Sequence, residues 1–264
     1  MDGPWLNPSY EARVYRAGMG AGRFRSFELE IGETDLWLGF DARSSADIPA
    51  SEFQKPIAQF VRTLRNEIIA YHGEHTGFFT SHVPLPAIDS EASAPVAPIV
   101  LSMLSASAAA GVGPMAAVAG AIAEAVGRFC KERWNLEEVV VENGGDLYVD
   151  VSQPLSVRVF APASPFADTL AVNILPDICP AGVCTSSGTT GHSFSYGKAD
   201  AMMIVCRNAA LADAWATAWG NRIHEPADVA QVCERIRAVK DILGAVAIAG
   251  DRMGVCGSLE VTAI

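Results

Sequence analysis

The chain has 264 residues, half of them apolar and 19% charged, which excludes a disordered chain and allows a large core without metal or disulfide staples. Thirty acidic residues against nineteen basic ones give a net charge of −11, a surface that repels phosphate backbones, so nucleic acid is excluded as a partner.

In chain order, the opening MDGPWLNPSYEAR has no basic start followed by an apolar run, so no export signal is expected and a cytoplasmic location follows. Phe24–Ile31 and Leu36–Phe40, separated by Gly32-Glu33-Thr34-Asp35, predict a β-hairpin. Phe53–Tyr71 carries apolar residues at helical spacing. The stretch from His72 to Ala97 is polar and Pro-containing and reads as a loop. Its His72-Gly73-Glu74-His75, with His82 downstream, is either a metal pair or a solvated loop. No residue from Ala92 to Ala123 is charged, but the run is rich in small residues and broken by Pro95, Pro98 and Pro114. It predicts buried helices over Ile99–Ala110 and Met115–Glu132 rather than a membrane span.

Strands are predicted at Val139–Val141, Leu147–Val151, Ser156–Phe160, Leu170–Ile174, Met202–Cys206, Ala245–Ala249 and Ser258–Thr262. Helices are predicted at Ala209–Trp219 and Pro226–Leu243. The mixture lacks a strict βαβ alternation, so the expected class is α+β, in one domain spanning residues 1–264. Six cysteines without a C-x-x-C read as buried free thiols. Cys179 and Cys184 with His192 form only a weak metal pattern.

Three segments carry candidate chemistry. Asn143-Gly144-Gly145-Asp146 interrupts a strand. Two glycines let the main chain turn sharply and approach a ligand, with Asp146 accepting from its donors; a plain turn with a solvated aspartate is the alternative. Thr185, Ser186, Ser187, Gly188 and Thr189 lead through Thr190 and Gly191 to His192 and Ser193. Such a run is either a donor-rich anion loop carrying an acid–base histidine or a flexible polar turn. Asp213 and Thr217 share a helix face at i and i+4 and offer two hard oxygens to magnesium. Alternatively, Asp213 charges the first helical turn and Thr217 bonds back to the backbone. Trp215 and Trp219, one turn apart, are either core or a stacking surface.

The order of these motifs resembles the ApbE superfamily of flavin transferases. With Ala110–Glu124 and LADAWATAWGN added, the chain is most similar to an uncharacterised cytoplasmic branch of it, over residues 100–221. The resemblance implies a T-fold-like single α+β domain with a mixed or antiparallel sheet and packed helices. It implies that FAD or a related flavin nucleotide and magnesium are bound and that FMN is transferred to a protein threonine with release of AMP. It places Gly144, Gly145 and Asp146 at the flavin, Asp213 and Thr217 on the magnesium, and His192 near the catalytic histidine. Ala119 stands where the family has a lysine, and His192-Ser193-Phe194-Ser195 lacks the family's Asp-Pro. Two further readings follow: a ligand-binding module without turnover, or an enzyme on another planar heterocycle such as a pterin or purine. A homo-oligomer is compatible with either. The expected partner is a small nucleotide-like molecule, with neither nucleic acid nor membrane.

Overall fold

The computed structural model describes residues 16, 20, 22–86, 95–167, 169–189 and 195–264. It is an α+β fold of three layers. The middle layer is an eight-stranded sheet, antiparallel at every pairing, in the order β1-β2-β3-β4-β7-β8-β9-β10. Its strands are β1 (Phe24–Ile31), β2 (Thr34–Asp41), β3 (Val139–Asn143), β4 (Asp146–Asp150), β7 (Ala181–Ser186), β8 (Ala201–Cys206), β9 (Ile242–Ala249) and β10 (Arg252–Gly257). A small sheet, β11-β6-β5, covers one face with β5 (Leu155–Arg158), β6 (Leu170–Ile174) and β11 (Glu260–Ala263). Helices α1 (Ala50–Glu74), α2 (Pro98–Ala110), α3 (Val118–Trp134), α4 (Ala209–Gly220) and α5 (Asp228–Ile236) cover the other.

Alternation along the strands supplies both interfaces. In β8, Met202, Ile204 and Cys206 face the helices, while Ala201, Met203 and Val205 face the small sheet. Covering both faces buries every residue of β8, and each large apolar side chain so enclosed contributes about 1.5–3 kcal/mol. The stripe Phe53, Ile57, Val61, Leu64, Ile68 and Tyr71 recurs every three or four residues and is the buried face of α1.

Several boundaries differ from the sequence expectation. Helix α1 continues through His72 to Glu74, so the predicted loop starts later. A short 3-10 turn, Pro114–Ala117, precedes α3, because proline opens a turn well but the chain must still bend sharply out of α2. The predicted helix Pro226–Leu243 contains only α5, and Ile242 and Leu243 already pair in β9. Thr185 and Ser186 end strand β7 rather than opening a loop: their backbone pairs with Met203 and Met202. Strand β10, rich in glycine, carries no strong strand pattern and was not expected; tertiary pairing with β9 makes it. Among the described residues no single helix is long and apolar enough to cross a membrane. α2 and the segment Pro114–Trp134 are bent by 104° to one another.

Candidate functional site

Helix α3 and helix α4 begin beside one another, above the β3–β4 turn. Gly120 makes this approach possible: a Cβ there would lie 2.2 Å from the Ala209 carbonyl oxygen and 2.9 Å from the Asp213 Cβ. The Gly120 N–H donates to the Asp213 carboxylate at 2.9 Å, and the Ala119 N–H also bonds to it. The Ala209 N–H donates to Glu124 at 2.7 Å, and Arg128 holds the other Glu124 oxygen at 2.8 Å.

Below these ends lies the turn Gly144–Gly145, with φ of 69° and 99°. It joins the paired residues Asn143 and Asp146 in a two-residue hairpin that needs left-handed backbone at both positions. Glu142 fixes the turn from behind: it accepts from the Gly145 N–H at 2.7 Å and is paired with the buried Arg16 at 2.5 Å. Arg16 also donates to Asp35 at 2.8 Å. Asn143 donates to the Ala119 carbonyl at 3.1 Å, tying the turn to the start of α3.

Asp146, Asp213 and Cys184 converge between these elements. Burial pushes the Asp146 carboxyl well above its ordinary range, and the nearby Asp213 charge pushes it further. The Cys184 thiol and the Thr185 N–H oppose this by hydrogen bonding to it. Burial raises Asp213 to about 7 against the pull of the Gly120 and Ala119 N–H groups. The Cys184 thiol is held protonated by burial and by both carboxylates, and it also contacts the Ala209 carbonyl at 3.4 Å. Two buried carboxylates side by side favour an added cation, because full ionisation without one is costly.

Among the described residues no group of three His, Cys, Asp or Glu is disposed to hold a metal. Thr217, half-buried, stands one turn along α4 from Asp213, the spacing at which its hydroxyl could offer a second oxygen to a cation held there.

The predicted site residues separate into two groups. Asn143, Gly144, Gly145, Asp146, Thr185 and Asp213 come together, with Thr217 one turn along α4. Ser187, Gly188 and Thr189 lie beyond the end of β7. The Thr189 hydroxyl is spent on Asp200 at 2.9 Å, which also accepts from Gly250 on the β9–β10 turn. Gly188 packs where a Cβ would meet the Gly197 carbonyl oxygen at 2.1 Å. His192 lies outside the described residues, as do Thr190, Gly191 and Ser193.

The other histidine candidates have packing roles: His72 stacks on Phe79 and His75 on Tyr71. The Trp215 and Trp219 rings stack on each other at 6.0 Å. Glu124 and Glu142 belong to the site's frame without having been singled out in sequence, the one local signal being that Glu142 directly precedes Asn143 and the glycine pair; Cys184, read in sequence only as part of a weak metal pattern, sits here as a protonated thiol against Asp146.

The three-layer α+β fold is that of an ApbE-like protein. The chain belongs to the family described as AbpE bacteria, which matches residues 16–248. It is 34% identical to a UPF0280 protein of Methanopyrus kandleri over 88% of this chain and 90% of that one. It is 40% identical to a UPF0280 protein of Methanocella arvoryzae over 61% of this chain, and the match spans just under two thirds of that protein, 65%. Its fold is similar to a mutant of the flavin transferase ApbE from Vibrio cholerae, with a TM-score of 0.54 at 10% identity over 89% of this chain and 97% of that one.

Proposed function

We propose that this protein binds a flavin nucleotide such as FAD together with magnesium. The observation that carries the reading is the buried pair Asp146 and Asp213 at the meeting of two helix starts and a glycine hairpin. Asp213 and Thr217 would hold the cation, which when bound supplies positive charge to a pyrophosphate. The glycine hairpin lets a ligand approach the main chain, as no side chain projects from Gly144 or Gly145. Asp146 orients the ligand through its donors. The flavin transferase named among the similar folds supports flavin as the ligand class. His192 is assigned the acceptance of a proton from an attacking hydroxyl, the step that group transfer would require.

Titration calorimetry with FAD in the presence and absence of magnesium tests the reading. Saturable binding that needs magnesium, and that Asp213→Ala weakens at least tenfold, is the expected result. No binding at high micromolar FAD with magnesium overturns the flavin assignment.

A second reading, ligand binding without turnover, is favoured by Ala119, which brings no cation to the start of α3. AMP released from FAD by the wild type, and lost in His192→Ala, decides for transfer. A co-purifying pterin or purine seen by mass spectrometry would instead assign another planar heterocycle.

A further inference from the structure

Helix α5 lies on the β9–β10 hairpin, at the far edge of the large sheet. Cys233 on α5 sits directly over Gly254 of β10, where a Cβ would lie 2.6 Å from the Cys233 sulfur. Cys256 is two residues further along the same strand and so projects from the same face. The two thiols are hydrogen-bonded to each other. Both are buried, at 6% and 3% exposure.

The six cysteines are all free, and this pair differs from the other four. Burial raises Cys130, Cys179, Cys184 and Cys206, which keeps them as unreactive thiols. Cys233 alone is lowered, first by the hydrogen bond that Cys256 donates to it, against the effect of burial, and then by Arg237 just past the end of α5. The donor, Cys256, is correspondingly raised. One sulfur is thus prepared to attack and its neighbour to follow.

We propose that Cys233 and Cys256 form an oxidation site that a small peroxide converts to a disulfide, stapling α5 to β10. The Cys233 thiolate attacks one oxygen of hydrogen peroxide, the O–O bond breaks, and a sulfenic acid and hydroxide result; the hydroxide takes up the proton that the Cys233 thiol had released and becomes water. The Cys256 sulfur then attacks the Cys233 sulfur, the S–O bond breaks, and a second water leaves with the Cys256 proton. Two thiols are oxidised, one peroxide is reduced to two waters, and no further reductant or oxidant is needed.

The experiment treats the native, reduced full chain with hydrogen peroxide, then counts thiols and maps the peptides. Free thiols fall from six to four, a single Cys233–Cys256 cross-link appears, and dithiothreitol restores all six. In Cys256→Ser, the sulfenic acid on Cys233 persists and is captured by dimedone, with no cross-link. Oxidation that spares both residues overturns the proposal, as does a cross-link to any other cysteine. Wild-type Cys233 carried to sulfinic acid without a cross-link also overturns it, since Cys256 would then be out of reach. The wild-type peptide map decides the matter even if the serine variant fails to fold.

Discussion

Asp213 and Glu124 cap each other's helices. Asp213, inside α4, takes the Gly120 N–H at the start of α3, and Glu124, inside α3, takes the Ala209 N–H that opens α4. Ala117, the residue before α3, offers no side-chain cap of its own. The first N–H groups of a helix need partners and favour negative charge, so each buried carboxylate satisfies both needs in the other helix. Asp213 thus has a structural role besides any ligand it holds, and substitutions must separate the two.

Glu124→Ala removes the acceptor for Ala209 and leaves that buried N–H unpaired. It also frees Arg128, which is half-exposed and can turn to water. A loss of about 1–3 kcal/mol is expected. Glu124→Gln keeps an acceptor oxygen and is expected to lose less than half of that. Urea unfolding midpoints of the two variants check the ordering.

Gly120→Ala places a methyl group 2.2 Å from the Ala209 carbonyl oxygen. That oxygen is backbone and cannot swing aside, so α4 must shift away from α3. We expect about 1–3 kcal/mol of destabilisation, the range for overpacking, even though alanine is the better helix former. Because Asp213 moves with α4, magnesium-dependent ligand binding should weaken too. A variant as stable as the wild type would show that the helices do not approach this closely.

Much of this arrangement was legible before the structure. The Phe53–Tyr71 stripe, the hairpin around Gly32 and the small-residue helices follow from periodicity and size alone, because each is decided within its own segment. The NGGD motif was legible as a strand break, and the structure makes it a hairpin turn that also bears a buried aspartate. The pairing of Asp146 with Asp213 was not legible from local pattern. It needs the β3–β4 turn to fall beneath α4, from which the five strands β4 to β8 separate it in sequence. Thr189 misled for a similar reason: its partner, Asp200, lies eleven residues on. Glycine-rich β10 is a strand only because β9 lies beside it.

Arg16 tests the frame behind the turn. It is buried with Glu142 and Asp35, and Arg16→Ala removes the guanidinium that pairs with both carboxylates. A loss of about 3–5 kcal/mol is expected. The paired variant Arg16→Met with Glu142→Gln removes opposite charges together and keeps an oxygen for the Gly145 N–H. It should recover a good part of that loss, as chemical denaturation of the three proteins will show.

Asp213 also sets a pH dependence. Its carboxyl stands at about 7 in the folded chain and at about 3.9 when unfolded. The folded state therefore holds a proton that the unfolded state releases, and the associated stability is complete below about pH 4 and lost as pH rises to about 7. A difference of that size between the two states corresponds to at most about 4 kcal/mol. Carboxylates held below their ordinary range, such as Asp41 beside Ser44 and Glu138 beside Arg23, act in the opposite direction. The difference between wild type and Asp213→Asn isolates the Asp213 contribution, because asparagine keeps an acceptor for the Gly120 N–H and carries no proton to lose. Without divalent cations, the wild type should lose stability relative to Asp213→Asn as pH climbs from about 4 to about 7. Saturating magnesium should offset part of that loss in the wild type alone, since a cation satisfies the ionised pair. Parallel stability curves for the two proteins across that range would place the Asp213 carboxyl in an ordinary, solvated setting and remove the buried acidic pair from the site.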